Sequence, residues 1–230
     1  MQSLRSGDAS DMSNENLDVM PCPEQLARIN LKAAFIIFDK LTMLDLIGIY
    51  DPLSRLKSMK ILADFDWRIC ACTPEVSDDR GLRLAADVVK EPLGHYDMVI
   101  VPGGFGTRTL VHDAAFIQWL RTCQPCKIKV SVCTGALLLG AAGFLKGKRA
   151  TTHPTAFAEL APFCAGVIDA RIVDDQDVIT GGGVTSAIDL GLYLVQKLAG
   201  VEARMRIAKQ MDYPYVCESI HIEQPKGAIR

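Results

Sequence analysis

Between residues 31 and 210, short apolar runs alternate with stretches carrying helical spacing, and this alternation constrains the chain more than any other feature. LKAAFIIF reads as a buried strand, DWRICACT and KIKVSV as further strands, and DMVIVPGG as an apolar strand ending in a Pro-Gly-Gly loop. LDLIGIYDPLSRLKSM, DAAFIQWLRTC and TGALLLGAAGFL carry helical spacing between them, the first expected to break at Pro52 and the last to run on to Gly147. GLRLAADVV reads as an extended segment or hairpin arm, PTAFAELA as a short helix, and ARIVDD with QDVIT as the arms of a hairpin. GGGVTSAIDLGLYLVQKLAG is a loop and long helix, and VEARMRIAKQM a final helix before a short irregular tail. Strands alternating with helices predict an α/β fold: a mainly parallel central sheet with helices on both faces. Ligands of such sheets bind at the C-terminal ends of the strands, which is where the informative residues cluster.

The chain of 230 residues divides into a polar N-terminal arm (1–30, with a short helix expected at 23–29), an α/β domain (31–212) and a C-terminal tail (213–230). A hydrophobic share of 49% and a charged share of 23% suffice for a sizeable core. The formal net charge of −2, with acids and bases spread evenly, argues against a nucleic-acid partner. No apolar run approaches the roughly 18 residues a membrane helix needs, so no membrane association is expected. The first residues contain no apolar stretch of the secretory kind, which makes the cytoplasm the expected compartment. The eight cysteines are accordingly read as reduced thiols. Cys123 and Cys126 form a CxxC, but it ends a helical pattern instead of opening one, so a structural role is expected.

The strongest chemical signal is Ser131-Val132-Cys133-Thr134-Gly135, set between a strand and a helix. Small residues on both sides of a cysteine at such a junction are the thiol version of a nucleophile elbow, and the following helix N-terminus is expected to favour thiolate. Val101-Pro102-Gly103-Gly104-Phe105-Gly106 ends another apolar strand, and the backbone N–H groups of Gly103, Gly104 and Thr134 are candidate donors to a developing oxyanion. Asp45 lies among apolar neighbours after the first strand; it either caps the helix or faces the cleft as a proton carrier. His153 is a candidate for orienting or deprotonating the thiol, or a simple boundary residue before Pro154. Gly181-Gly182-Gly183-Val184-Thr185 suits close packing near the cleft better than anion binding, with Gly182 a candidate for supporting the site.

Taken together, Ser131–Gly135, Val101–Gly104 and Asp45 resemble the ThiJ/PfpI superfamily over about residues 31–210. The resemblance implies a class I glutamine-amidotransferase-like fold, a flavodoxin-like three-layer sandwich, acting as a homodimer. Leu44-Asp45-Leu46-Ile47-Gly48, Arg149-Ala150-Thr151-Thr152-His153 and Thr180-Gly181-Gly182-Gly183 are similar to the isonitrile hydratase branch. That branch implies Cys133 as nucleophile, Asp45 as proton carrier and Thr134 as a polar aid, with a small-molecule substrate and neither metal nor organic cofactor. The chain departs from the branch pattern at Ile47, where Thr is usual, and Pro154, where Trp is usual, and both changes are expected to reshape the pocket. Thr134 stands where peptidase-like members have His. Two other readings stand beside hydration: a glyoxalase- or deglycase-like enzyme acting on reactive aldehydes, and a redox or ligand sensor without catalysis.

Overall fold

The computed structural model describes residues 31–214 and 221–224; the helix expected at 23–29 lies outside them. The apolar runs become β1 (Lys32–Ile36), β2 (Asp66–Ala71), β6 (Met98–Val101) and β7 (Ile128–Val132). Between β2 and β6 lie β3 (Glu75–Ser77) and β4 (Arg83–Ala85), which form a separate hairpin, and then β5 (Val88–Val89). The helices are α1 (Met43–Ser58), α2 (Thr107–Leu110), α3 (Ala114–Arg121), α4 (Gly135–Ala141), α5 (Phe157–Leu160) and α6 (Ser186–Gln210). The remaining strands are β8 (Arg149–Ala150), β9 (Gly166–Val167), β10 (Ile172–Asp175), β11 (Val178–Gly181) and β12 (Ile222–Glu223).

The main sheet has eight strands in the order β12-β10-β11-β7-β6-β1-β2-β5. Every neighbouring pair is parallel except the β10–β11 hairpin, which turns at Gln176 with φ of 70°. The run β2-β1-β6-β7-β11 is the doubly wound order in which chain direction reverses between β1 and β6, leaving a crevice there. β6 is buried at all four positions, as a strand covered on both faces must be. On one side α1 packs along α6, with Leu46, Ile49, Leu53 and Leu56 at helical spacing completely buried. The contact is close: a Cβ on Gly48 would sit 2.6 Å from the Ala187 methyl.

Three expectations about elements are corrected. α1 runs unbroken through Pro52, because that residue is buried against α6 beside Gly191 and tertiary packing outweighs the missing backbone hydrogen bond. α4 stops at Ala141 well before Gly147, since Gly143 takes a left-handed φ of 93° and turns the chain. The tail is not wholly irregular, for Ile222–Glu223 forms β12 alongside β10. The last two predicted helices are present as α6, which is interrupted at Gly200.

Candidate active site

β7 delivers Cys133 into a sharp turn before α4. The residue has φ of 54°, a left-handed conformation unfavourable for any side-chain-bearing residue, so the surroundings must hold it. They do so on both sides. The Cys133 N–H lies 3.0 Å from the Gly181 carbonyl and 2.8 Å from that of Gly182, while its own carbonyl accepts from the Thr152 hydroxyl at 2.8 Å. Gly135 lets the turn close, because a Cβ there would lie 2.3 Å from the Val101 carbonyl oxygen. The triple-glycine loop therefore presents carbonyls to the elbow, a polarity opposite to that of an anion site.

Asp45 sits in the first turn of α1, but it is not the cap: Thr42 holds that position. Its carboxylate is fully buried and turns across the switch point, with Oδ2 accepting the Gly103 N–H at 3.0 Å. Burial pushes the carboxyl up to about 7, against the Gly103 N–H and the Cys133 thiol, which both favour the ionised form. Burial also pushes the Cys133 thiol up to about 12, and the charge of Asp45 adds to it, while the Thr134 N–H pulls the other way. The helix terminus therefore pulls this thiol down as its position suggested, but burial and the neighbouring acid outweigh it. The repulsion acting on the thiolate disappears whenever Asp45 holds the proton.

Thr134 is buried and directed inward. Its Oγ1 accepts the Gly104 N–H at 3.0 Å and lies 3.0 Å from the Thr107 hydroxyl, and both hydroxyls reach the Gly104 carbonyl. The Gly103 and Gly104 N–H groups expected to face an oxyanion are thus engaged, by Asp45 and Thr134 respectively. The donors near the sulfur both come from Thr134, its N–H and its hydroxyl. His153 is half-buried and uses Nδ1 on Thr155, accepting its N–H at 3.3 Å and lying 2.8 Å from its hydroxyl. Its other ring edge faces Gly183. His153 makes no hydrogen bond to Cys133 among the described residues, although both line one cavity of about 510 Å³. Leu44, Leu82, Phe105 and Val184 give that cavity an apolar rim. Its cations are paired, Arg108 with Glu159 and Arg80 with Asp79.

Ile47 and Pro154 are absent from the lining of this cavity, so the departures expected to reshape it lie outside its wall; Pro154 instead borders a smaller space beside Gly182. Two contributors are hard to find in the sequence. Thr152 is overshadowed by its neighbour His153, and Thr107 carries no signal because its partner Thr134 lies 27 residues away. Cys123 and Cys126 are both buried, in keeping with a structural role. No group of three or more metal-binding side chains occurs among the described residues.

The geometry defines a class: doubly wound α/β proteins that raise a cysteine on a strained elbow beside the crevice where strand order reverses. Within that class the chain belongs to the DJ-1/PfpI family, whose profile matches residues 31–197. It is 36% identical over 185 residues to isonitrile hydratase of Pseudomonas putida, covering 80% of this chain and 78% of that one. It is 32% identical over 125 residues to protein DJ-1alpha of Drosophila melanogaster, covering 53% of this chain and 57% of the other. A ThiJ/PfpI family protein from Pseudomonas syringae superposes with a TM-score of 0.77 at 28% identity, covering 90% of this chain and 84% of that structure.

Proposed function

We propose that the protein hydrates an organic isonitrile to an N-substituted formamide, with Cys133 as nucleophile and Asp45 as proton carrier. The observation that carries this reading is the pairing of a fully buried carboxyl, which burial pushes up to about 7, with a thiol on a strained elbow. The similarity to isonitrile hydratase over most of both chains supports it. An isonitrile, R–N≡C, is electrophilic at carbon once protonated, so the site must supply a sulfur and a proton together. The Cys133 sulfur bonds to the terminal carbon while its proton passes through Asp45 to that carbon, giving the thioimidate R–N=CH–S. Asp45, again ionised, takes a proton from water as the oxygen adds to the same carbon, and the nitrogen gains the proton. Collapse breaks the C–S bond, releases R–NH–CHO and returns the hydroxyl proton to the Cys133–Asp45 pair. The Thr134 N–H steadies charge on sulfur in the first and last steps. The Thr134 hydroxyl, held by Gly104, also reaches the Cys133 sulfur and helps to steady it.

The apolar rim and the paired arginines suit an uncharged R group. The working unit is a homodimer in the cytoplasm. Mixing purified protein with cyclohexyl isocyanide and following the formamide tests the assignment. Turnover by the intact protein and none by Cys133→Ala is the expected result. No turnover by intact protein removes the reaction, and lactate formed from methylglyoxal in its place gives the site aldehyde chemistry.

A further inference from the structure

A second, larger cavity of about 710 Å³ opens at the C-terminal ends of β1 and β2. The wall between it and the Cys133 cavity is made by residues 39–42 and 104–109. These segments are joined by the Leu41–Gly104 bridge and by the Gly106 N–H donating to the Lys40 carbonyl at 3.2 Å. The volume is that of a small-molecule site, and its position is where doubly wound sheets hold ligands. None of the chemistry assigned to Cys133 uses it.

Aromatic rings form the floor. Phe38 meets Phe116 edge-on at 6.1 Å between centroids, and Phe116 meets Trp119 likewise at 5.6 Å. Trp119 spends its one polar atom on the Glu91 carbonyl at 2.8 Å, so it offers the cavity only ring surface. Four charged residues stand at the lining, and they are not equivalent. Asp39 accepts the Ser77 N–H at 2.9 Å, and Asp113 accepts the Ala115 and Phe116 N–H groups at 2.9 and 3.0 Å, so both carboxylates are already engaged by backbone donors. Lys40 and Lys90 have no ion pair or side-chain hydrogen bond among the described residues. The Lys90 charge is felt at Cys72 on the cavity wall, where it opposes the upward push of burial on that thiol.

We propose that this cavity is a second ligand site, taking a small aromatic carboxylate whose ring lies on Phe116 and Trp119 and whose charge meets Lys40 and Lys90. The floor supplies affinity through apolar burial, and the two ammonium groups supply selection for an anion. Binding is non-covalent and reversible.

The chain has two tryptophans, so Trp67→Phe leaves Trp119 as the only indole reporter. Titration with 3-phenylpropionate is expected to shift its emission saturably, and with 3-phenylpropionamide to do so only at concentrations roughly tenfold higher. Lys40→Gln combined with Lys90→Gln removes the preference for the acid, and Gln118→Phe, which fills the cavity from the exposed face of α3, weakens both ligands. Calorimetric titration of the unsubstituted protein gives the same comparison should Trp67→Phe fail to fold. Absence of saturable binding, equal affinity for acid and amide, an acid preference that survives loss of both lysines, or full binding by folded Gln118→Phe would each overturn the proposal.

Discussion

A carboxyl that titrates near neutrality leaves a signature in stability as well as in chemistry. Asp45 is pushed from the ordinary carboxylate range up to about 7 in the folded protein. Between about pH 4 and 7 the folded chain therefore binds more protons at this position than the unfolded chain does, and stability falls as pH rises through that window, then levels off. The effect of this one group amounts to about 4 kcal/mol at most across that window. Asp45→Asn removes it, so urea midpoints of variant and parent, compared across that range, are expected to diverge as pH rises, the variant being the flatter. Parallel curves would show that Asp45 does not carry this proton. Thr134→Val leaves the Gly104 N–H without its acceptor and is expected to cost about 1–3 kcal/mol, read from the same melts. The sequence exposed Cys133 and Asp45 as candidates because a cysteine between small residues and an acid among leucines are both chemically conspicuous. It did not expose what occupies Gly103, since the Asp45 carboxylate reaches that N–H from 58 residues away.

At the level of elements, the strands were the easiest to read and the helix ends the hardest. Burial on both faces writes itself as continuous apolar runs in β1 and β6, and the runs at β2 and β7 also became strands. Helix ends depend on single backbone angles and on neighbours. Pro52 looks like a breaker until its packing on α6 is known, and Gly143 looks like one more small residue in an apolar helix until its φ is known. Gly200 is the strictest of these points. With φ of 85° and ψ of 171° it occupies a region essentially reserved for glycine, and it separates the two halves of α6. Gly200→Ala is expected to destabilise the protein by about 1–3 kcal/mol in equilibrium unfolding, although a Cβ there meets no neighbour within 4 Å, so the loss reports backbone strain and not crowding. Gly135→Ala tests the opposite case, a site where space is the constraint. Its Cβ would press on the Val101 and Pro102 carbonyls, so the elbow must shift, and formamide production should fall further than stability does.

Across the whole molecule, the site exists because the doubly wound order brings the ends of β1, β6 and β7 side by side, each contributing one part: acid, glycine loop and thiol. That assembly follows from right-handed parallel crossovers once the strands are recognised, which is why the fold was legible from one sequence, while the family was legible in the motifs at Asp45, Val101–Gly104 and Ser131–Gly135. A cleft at Cys133 was expected from the strand ends, but the second cavity across the 39–42 and 104–109 wall was not legible, because space left between side chains has no local signature. The small strand β12 has its own consequence. It pairs with β10 at the sheet's margin and is tied back by Glu223 to Arg149. Without it, the outer row of amide and carbonyl groups of β10 faces water as a ready template for a strand from another molecule. A chain cut before His221 is therefore expected to keep its fold yet self-associate with time and concentration, seen as rising light scattering, and the short segment at the sheet's edge acts as a guard against polymerisation.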